Sequence, residues 1–119
     1  MTPLATVKAY YGWIDTQEVE RVLALFRPDA MYKRAGSIIG GADALQRFFG
    51  GERKIRGRHM IESVWAVGNT VISKGRFQGV GAAGDARDVE FVDVWTFDDC
   101  GLVERRETFL AHGHEIVRA

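Results

Sequence analysis

Three side chains fall where alternation calls for an apolar residue, and each of them could move a proton. From Val89 to Phe97 the alternate positions are Val89, Phe91, Asp93, Trp95 and Phe97. On a strand these positions share one face, so Asp93 is a carboxylate on an otherwise apolar surface. Such a group must find a partner or keep its proton, and either outcome makes it a candidate acid or base. Glu107 raises the same expectation, because alternation places it with Val103 and Phe109. Its alternative is a surface ion pair with Arg105 or Arg76. His59 alternates with Ile61 and Trp65, so it is either an acid–base group in a pocket or a histidine at a strand edge. Trp13 and Trp65 read as pocket wall or core.

Other motifs carry less. Gly79-x-Gly81-x-x-Gly84 spells a dinucleotide fingerprint, but a strand rather than a helix follows it, so it reads as a hairpin connection. Arg53-Lys54-x-Arg56-x-Arg58 lies beside glycines and reads as a solvated loop. His112-x-His114-Glu115 could bind a metal only on a short tail, and no physiological metal is expected.

The elements that must position these groups change period midway. Leu4, Val7, Tyr11 and Ile14 recur at helical steps, with Thr6 and Lys8 on the other side. Asp15, followed by Glu18, reads as the N-cap of a second helix. Val19, Val22, Leu23 and Phe26 form one face of that helix, which stops at Arg27-Pro28. Ala30 to Lys33 suits a short strand. Gly40-Gly41 then precedes a third helix, Ala42 to Phe49, closed by Gly50-Gly51. Strands follow: one around His59 to Val67, a turn at Gly68-Asn69, Val71 to Val80, Val89 to Phe97, a turn at Asp98 to Gly101, and Leu102 to Ala111. Helices first and hairpin-linked strands afterwards predict an α+β domain with its helices against an antiparallel sheet.

Composition narrows the function classes. The 119 residues carry 16 Lys plus Arg and 16 Asp plus Glu, giving no net charge. One domain, 1–119, is expected, with room for one modest pocket. A general nucleic-acid or acidic-membrane binder carries a basic excess that is missing here. The single cysteine, Cys100, cannot form an intrachain disulfide. No signal-peptide core and no membrane-spanning run is legible, so a cytoplasmic location is expected.

The order of segments resembles the nuclear transport factor 2-like superfamily, which includes ketosteroid isomerases, limonene epoxide hydrolases and SnoaL-like polyketide cyclases. The resemblance covers about residues 5–111. It rests on Tyr10-Tyr11-x-x-Ile14-Asp15, Phe26-x-x-Asp29-Ala30-x-Tyr32, Gly41-x-x-Ala44-Leu45-x-x-Phe48-Phe49, and Phe91-Val92-Asp93-Val94-Trp95-x-Phe97-Asp98-Asp99-x-Gly101-x-x-x-x-Arg106. It implies a conical, strongly curved sheet under three N-terminal helices, an apolar pocket between them, and a homodimer. Alternation gives the outer face Val92, Val94 and Leu110, which suits that association.

The resemblance also implies roles. Asp93 matches the neutral acid of the isomerase oxyanion hole and the acid that protonates the epoxide in the hydrolases; the isomerase acid is a standard case of a carboxyl kept neutral by its site. Tyr10 matches the isomerase's other oxyanion donor, although either Tyr10 or Tyr11 could face inward. Tyr32 matches the tyrosine that holds the hydrolytic water, and Glu107 the carboxylate that deprotonates it. Two positions depart from these patterns. Arg34 stands where the isomerase has its proton-shuttling carboxylate and the hydrolase its water-holding asparagine. Phe91 stands where the hydrolase has the arginine that bridges its carboxylates.

The reading that follows is a cofactor-free acid–base enzyme for a hydrophobic small molecule. Its most specific form is water addition to an epoxide, with Asp93, Glu107, Tyr32 and Arg34 catalytic. Tyr10, Trp13, His59, Phe91 and Trp95 would shape the pocket, with Asp93 at its floor. The alternatives are proton transfer or ring closure on a carbonyl compound, with His59 or Glu107 as base, and a non-catalytic ligand-binding module.

Overall fold

The computed structural model describes residues 1–34, 36–53 and 55–111, without the side chain of Glu52. The metal motif His112-x-His114-Glu115 therefore lies outside the described residues, as does Lys54.

Helix α1 spans Pro3–Asp15. Thr2 caps it, its hydroxyl accepting from the Ala5 amide at 3.1 Å, and Pro3 occupies the first turn, where no amide hydrogen is needed. Its buried face is wide, taking in Thr6, Val7, Tyr10, Tyr11 and Ile14, so both tyrosines point inward. Helix α2, Val19–Leu23, is short, and Asp15 does not cap it. Asp15 instead closes α1 and reaches across to the sheet. Phe26 opens strand β1, Phe26–Arg34, rather than ending the second helix. A brief strand β2, Ser37–Gly40, pairs with it. Helix α3, Ala42–Arg47, runs into a wide π turn at Phe48–Glu52.

Four more strands complete the sheet: β3, Arg56–Val67; β4, Thr70–Val80; β5, Ala86–Phe97; and β6, Val103–Leu110. The spatial order is β2-β1-β6-β5-β4-β3, curved and unclosed. The pairings are antiparallel as expected, except that β1 runs parallel to β6, which makes the sheet mixed. Gly79 to Gly84 belongs to the β4–β5 hairpin, where the Gly81 amide donates to the Asp85 carbonyl at 2.8 Å.

Two register shifts decide which side chains face the helices. In β3 the pairing slips between Ile61 and Ser63, leaving Glu62 as the extra residue. Ile61 and Val64 then both pack on the core, while Trp65 turns outward and is 51% exposed. Gly75 lies opposite Ile61, where a Cβ would stand 2.3 Å from the Met60 carbonyl oxygen. In β6 the pairing slips after Val103, with Glu104 as the extra residue. A one-residue slip exchanges the faces of everything beyond it. Arg106, Thr108 and Leu110 therefore face inward beside Trp95, Asp93 and Phe91, and Glu107 and Phe109 face out. Leu110 accordingly leaves the outer face assigned to it. Among the described residues no helix is long and apolar enough to cross a membrane.

Candidate active site

Between α1, the π turn and the concave face of the sheet lies a partly open cavity of about 530 Å³. Of the residues singled out in the sequence, Tyr10, Tyr32, Arg34, His59, Phe91 and Asp93 line it. Trp95 and Trp13 do not. Trp95 is fully buried behind the cavity, and Trp13 packs against the core with the guanidinium of Arg21, on α2, 5.6 Å from its ring. Glu107 is on the other face of the sheet, where Arg105 Nε donates to it at 2.9 Å. The bulge after Val103 put it there.

Asp93 is completely buried and serves as an acceptor. Arg106 Nη2 donates to its Oδ2 at 3.0 Å, Tyr11 donates to the same oxygen, and Thr108 donates to Oδ1. Three donors on its two oxygens, one of them a guanidinium, make Asp93 the acceptor at the centre of this network. Further hydroxyls brace the group. Trp95 Nε1 donates to Ser73 Oγ at 3.0 Å, and Ser73, 2.6 Å from the Tyr11 hydroxyl, passes its own proton on to it. Thr108 spends its proton on Asp93, so Tyr32, 3.0 Å away, donates to Thr108. Burial, and then the negative charge of Asp93, push the Tyr11 hydroxyl well above its ordinary range, so it stays protonated.

Arg106 is the cation that sequence reading missed. It is 3% exposed and wedged among aromatic rings, its guanidinium 4.3 Å from the Tyr10 ring and 4.5 Å from those of Tyr32 and Trp95. Burial opposes its charge, but Asp93 and the surrounding tyrosines outweigh that and hold the guanidinium protonated. The hydrolase-like bridging arginine has no counterpart at Phe91, yet a guanidinium reaches Asp93 from the neighbouring strand. The clue was present as the last residue of the quoted β5–β6 motif, but strict alternation turned it outward.

Arg106 Nη1 donates to the Tyr10 hydroxyl at 2.5 Å, so the proton of Tyr10 itself remains available. Burial pushes that hydroxyl up to about 12, with Arg106 pulling the other way, so it is a donor at neutral pH. Tyr10 is thus a cavity-lining hydrogen-bond donor with a positive charge behind it.

His59 is the second finding. Asp15 Oδ1 accepts from Nδ1 at 2.5 Å, and Asp15 Oδ2 accepts from the His59 backbone amide at 2.8 Å. This double grip fixes the ring and puts the proton of the neutral imidazole on Nδ1. Nε2 has no hydrogen-bond partner among the described residues, in a ring that lines the cavity. Phe77 at 4.8 Å, Tyr11 at 5.4 Å and Phe91 at 5.6 Å hold the ring from its sides. Reading Asp15 as a helix cap concealed this pair, since 44 residues separate the partners. Among the described residues no cluster of three or more His, Cys, Asp or Glu could hold a metal ion.

Comparison with known proteins places this geometry. A search of curated proteins finds no match. Solved structures share the fold. An NTF2-like protein of unknown function from Burkholderia pseudomallei is 21% identical with a TM-score of 0.83, covering 99% of this chain and 97% of that one. The epoxide hydrolase/cyclase-like enzyme SalBIII, which has a role in pyran ring formation in salinomycin, is 15% identical with a TM-score of 0.81, covering 92% and 90%. A Catenulispora acidiphila protein with a ketosteroid isomerase-like fold, in complex with trimethylamine, is 14% identical with a TM-score of 0.78, covering 92% and 86%. The model of the SnoaL-like domain matches residues 7–105, and the chain belongs to that family.

Proposed function

We propose that the protein is a cofactor-independent enzyme that moves a proton on a carbonyl compound, as in isomerisation or ring closure. The observation that carries this reading is the His59–Asp15 pair at the cavity. With Nδ1–H donated to Asp15, Nε2 offers a lone pair to a C–H made acidic by an adjacent carbonyl. Removing that proton moves negative charge onto the carbonyl oxygen. The free proton of Tyr10, backed by Arg106, is suited to stabilise the enolate that forms. His59, now cationic and steadied by Asp15, can return the proton at another carbon. Phe77, Phe91 and Leu110 would keep bulk water from the enolate.

Asp93 takes a different part from the one its position suggests. It holds Arg106 and Tyr11, and through Thr108 Tyr32, in place. Water addition to an epoxide draws less support, because Glu107 lies outside the cavity and Asp93 is engaged as an acceptor by three donors.

The test reads exchange rather than product. Wild-type protein and a panel of cyclic and aryl ketones are incubated in heavy water, and loss of α-hydrogen signal is followed by NMR. Enzyme-dependent exchange is expected, falling about 10²–10⁴-fold in His59→Gln, the usual worth of one positioned base. Panel members that bind the wild-type cavity without exchanging would instead indicate a binding module.

A further inference from the structure

We propose that the substrate carries a carboxylate, and that Arg34 and Arg53 bind it at the mouth of the cavity. This deepens the reading above and rests on the same cavity being the substrate site.

Arg34 ends strand β1 and Arg53 follows the π turn; both are half-buried and both line the cavity. Among the described residues, neither has a carboxylate within ion-pair distance. Their situation differs from that of the other arginines around the site. Arg106 is held by Asp93, and Arg87, at the same mouth, by Asp85 at 2.6 Å. Asp88 also lines the mouth, but Arg76 at 3.5 Å and Gln78 at 3.4 Å engage its oxygens. In a chain with equal numbers of acidic and basic residues, two cations without a carboxylate partner among the described residues thus line one cavity.

Their partners leave guanidinium hydrogens to spare. Arg53 commits Nη1 to the Ile55 carbonyl at 2.9 Å. Arg34 lies with its guanidinium 5.6 Å from the centre of the Phe48 ring, a contact that involves no polar acceptor. Burial disfavours the charge on Arg53; Tyr10 and Tyr32 favour it, and the charges of Arg106 and Arg34 weigh against it. An empty site therefore holds like charges together in partly dry surroundings, a cost that a bound anion relieves. A planar carboxylate matches the guanidinium fork, and the neighbouring Phe48 and Ile55 favour it on an apolar molecule. The sequence motif Arg53-Lys54-x-Arg56-x-Arg58, expected to be a solvated loop, thereby supplies one residue to the site.

The test compares naphthoate with its neutral isostere naphthamide by isothermal titration calorimetry. Wild-type protein is expected to bind naphthoate about tenfold or more tightly than naphthamide, as a charge-assisted pair of contacts should. The preference should weaken with added salt. Arg34→Gln and Arg53→Gln should each reduce it, and together abolish it, with naphthoate affinity falling far more than naphthamide affinity. Arg53→Lys, which keeps the charge, should retain part of it, and Arg87→Gln should leave it intact. Equal affinity for the two probes in wild type, or a preference that survives the double substitution, overturns the proposal, as does failure of naphthoate to bind at millimolar concentration. His59→Gln should not change the preference. Lost preference with His59-dependent exchange intact therefore defeats this inference alone; an intact preference without exchange defeats the proposed chemistry alone.

Discussion

Two carboxylates reach toward the same cavity, and they do opposite things with their partners. Asp93 is sealed in, with Arg106, Tyr11 and Thr108 using both its oxygens. Asp15 stands at the end of α1 and spends its oxygens on one residue, the ring and backbone of His59. The first arrangement ends in a closed network in which hydroxyl protons already have acceptors. The second ends in a ring nitrogen with no partner. A buried carboxylate is thus a poor guide to chemistry by itself; the useful question is which polar atom of its network is left over. Around Asp93 the leftover atoms sit one step away, at the Tyr10 hydroxyl and at Arg106 Nε, the latter buried and unpartnered.

The contrast can be broken at its closed end first. Asp93→Asn removes the charge that faces a guanidinium only 3% exposed. Taking one partner from a buried ion pair strands the other, so about 3–5 kcal/mol of stability should be lost. Urea denaturation measures it. Had Asp93 been a neutral acid in an apolar site, the asparagine would have been tolerated. His59→Gln is the counterpart at the open end. It should cost only about 1 kcal/mol, because the His59 backbone amide still donates to Asp15 whatever the side chain. Its effect belongs in the exchange rate.

Tyr10 sharpens the comparison, because it is bound to Arg106 of the closed network and still has a proton to give. Its hydroxyl titrates near 10 when unfolded and near 12 when folded, so the folded state keeps the proton longer. That contribution to stability is whole below pH 10 and disappears as pH rises toward 12. At about 1.4 kcal/mol per unit, up to about 3 kcal/mol should vanish across this window. Tyr10→Phe should flatten that part of the curve of melting temperature against pH while slowing exchange. An unaltered alkaline limb would show that the hydroxyl is not buried as described. The smallest effect is expected at Glu107→Gln. Its exposed ion pair with Arg105 should be worth about 0–1 kcal/mol, and exchange should not change.

Much of the fold was legible because hydrophobic period and turn residues act locally. The Gly68-Asn69 turn and the alternation of β5 from Val89 to Phe97 appear in the structure as read, and so does the α1 stripe, except that Thr6, read onto the other side, is buried with it. Asp93 was legible for the same reason, whereas Tyr10 came from the family resemblance, which left Tyr10 or Tyr11 open. The misplacements trace to single extra residues. An uninterrupted alternation puts Glu107 inside and Arg106 outside; the bulge at Glu104 exchanges them. The bulge at Glu62 does the same to Trp65 and Val64. Neither bulge has a proline or glycine beside its extra residue to announce it. The glycine that accommodates the first, Gly75, is on the neighbouring strand. The His59–Asp15 pair was hidden otherwise. Asp15 satisfied a local capping pattern with Glu18, and only the packing of α1 over β3 reveals its distant partner.

The central claim is that His59 presents a bare Nε2 to the cavity while Asp15 holds its Nδ1 proton. The ring nitrogen NMR shifts of His59 test this most directly. The chain has three histidines, and His59→Gln identifies the relevant signals. With the imidazole neutral, the account predicts a protonated Nδ1, an unprotonated Nε2, and a change at Nε2 when naphthoate enters the cavity. Asp15→Asn should disturb that pattern. A proton resident on Nε2 in the wild-type protein, with Nδ1 bare, would contradict it.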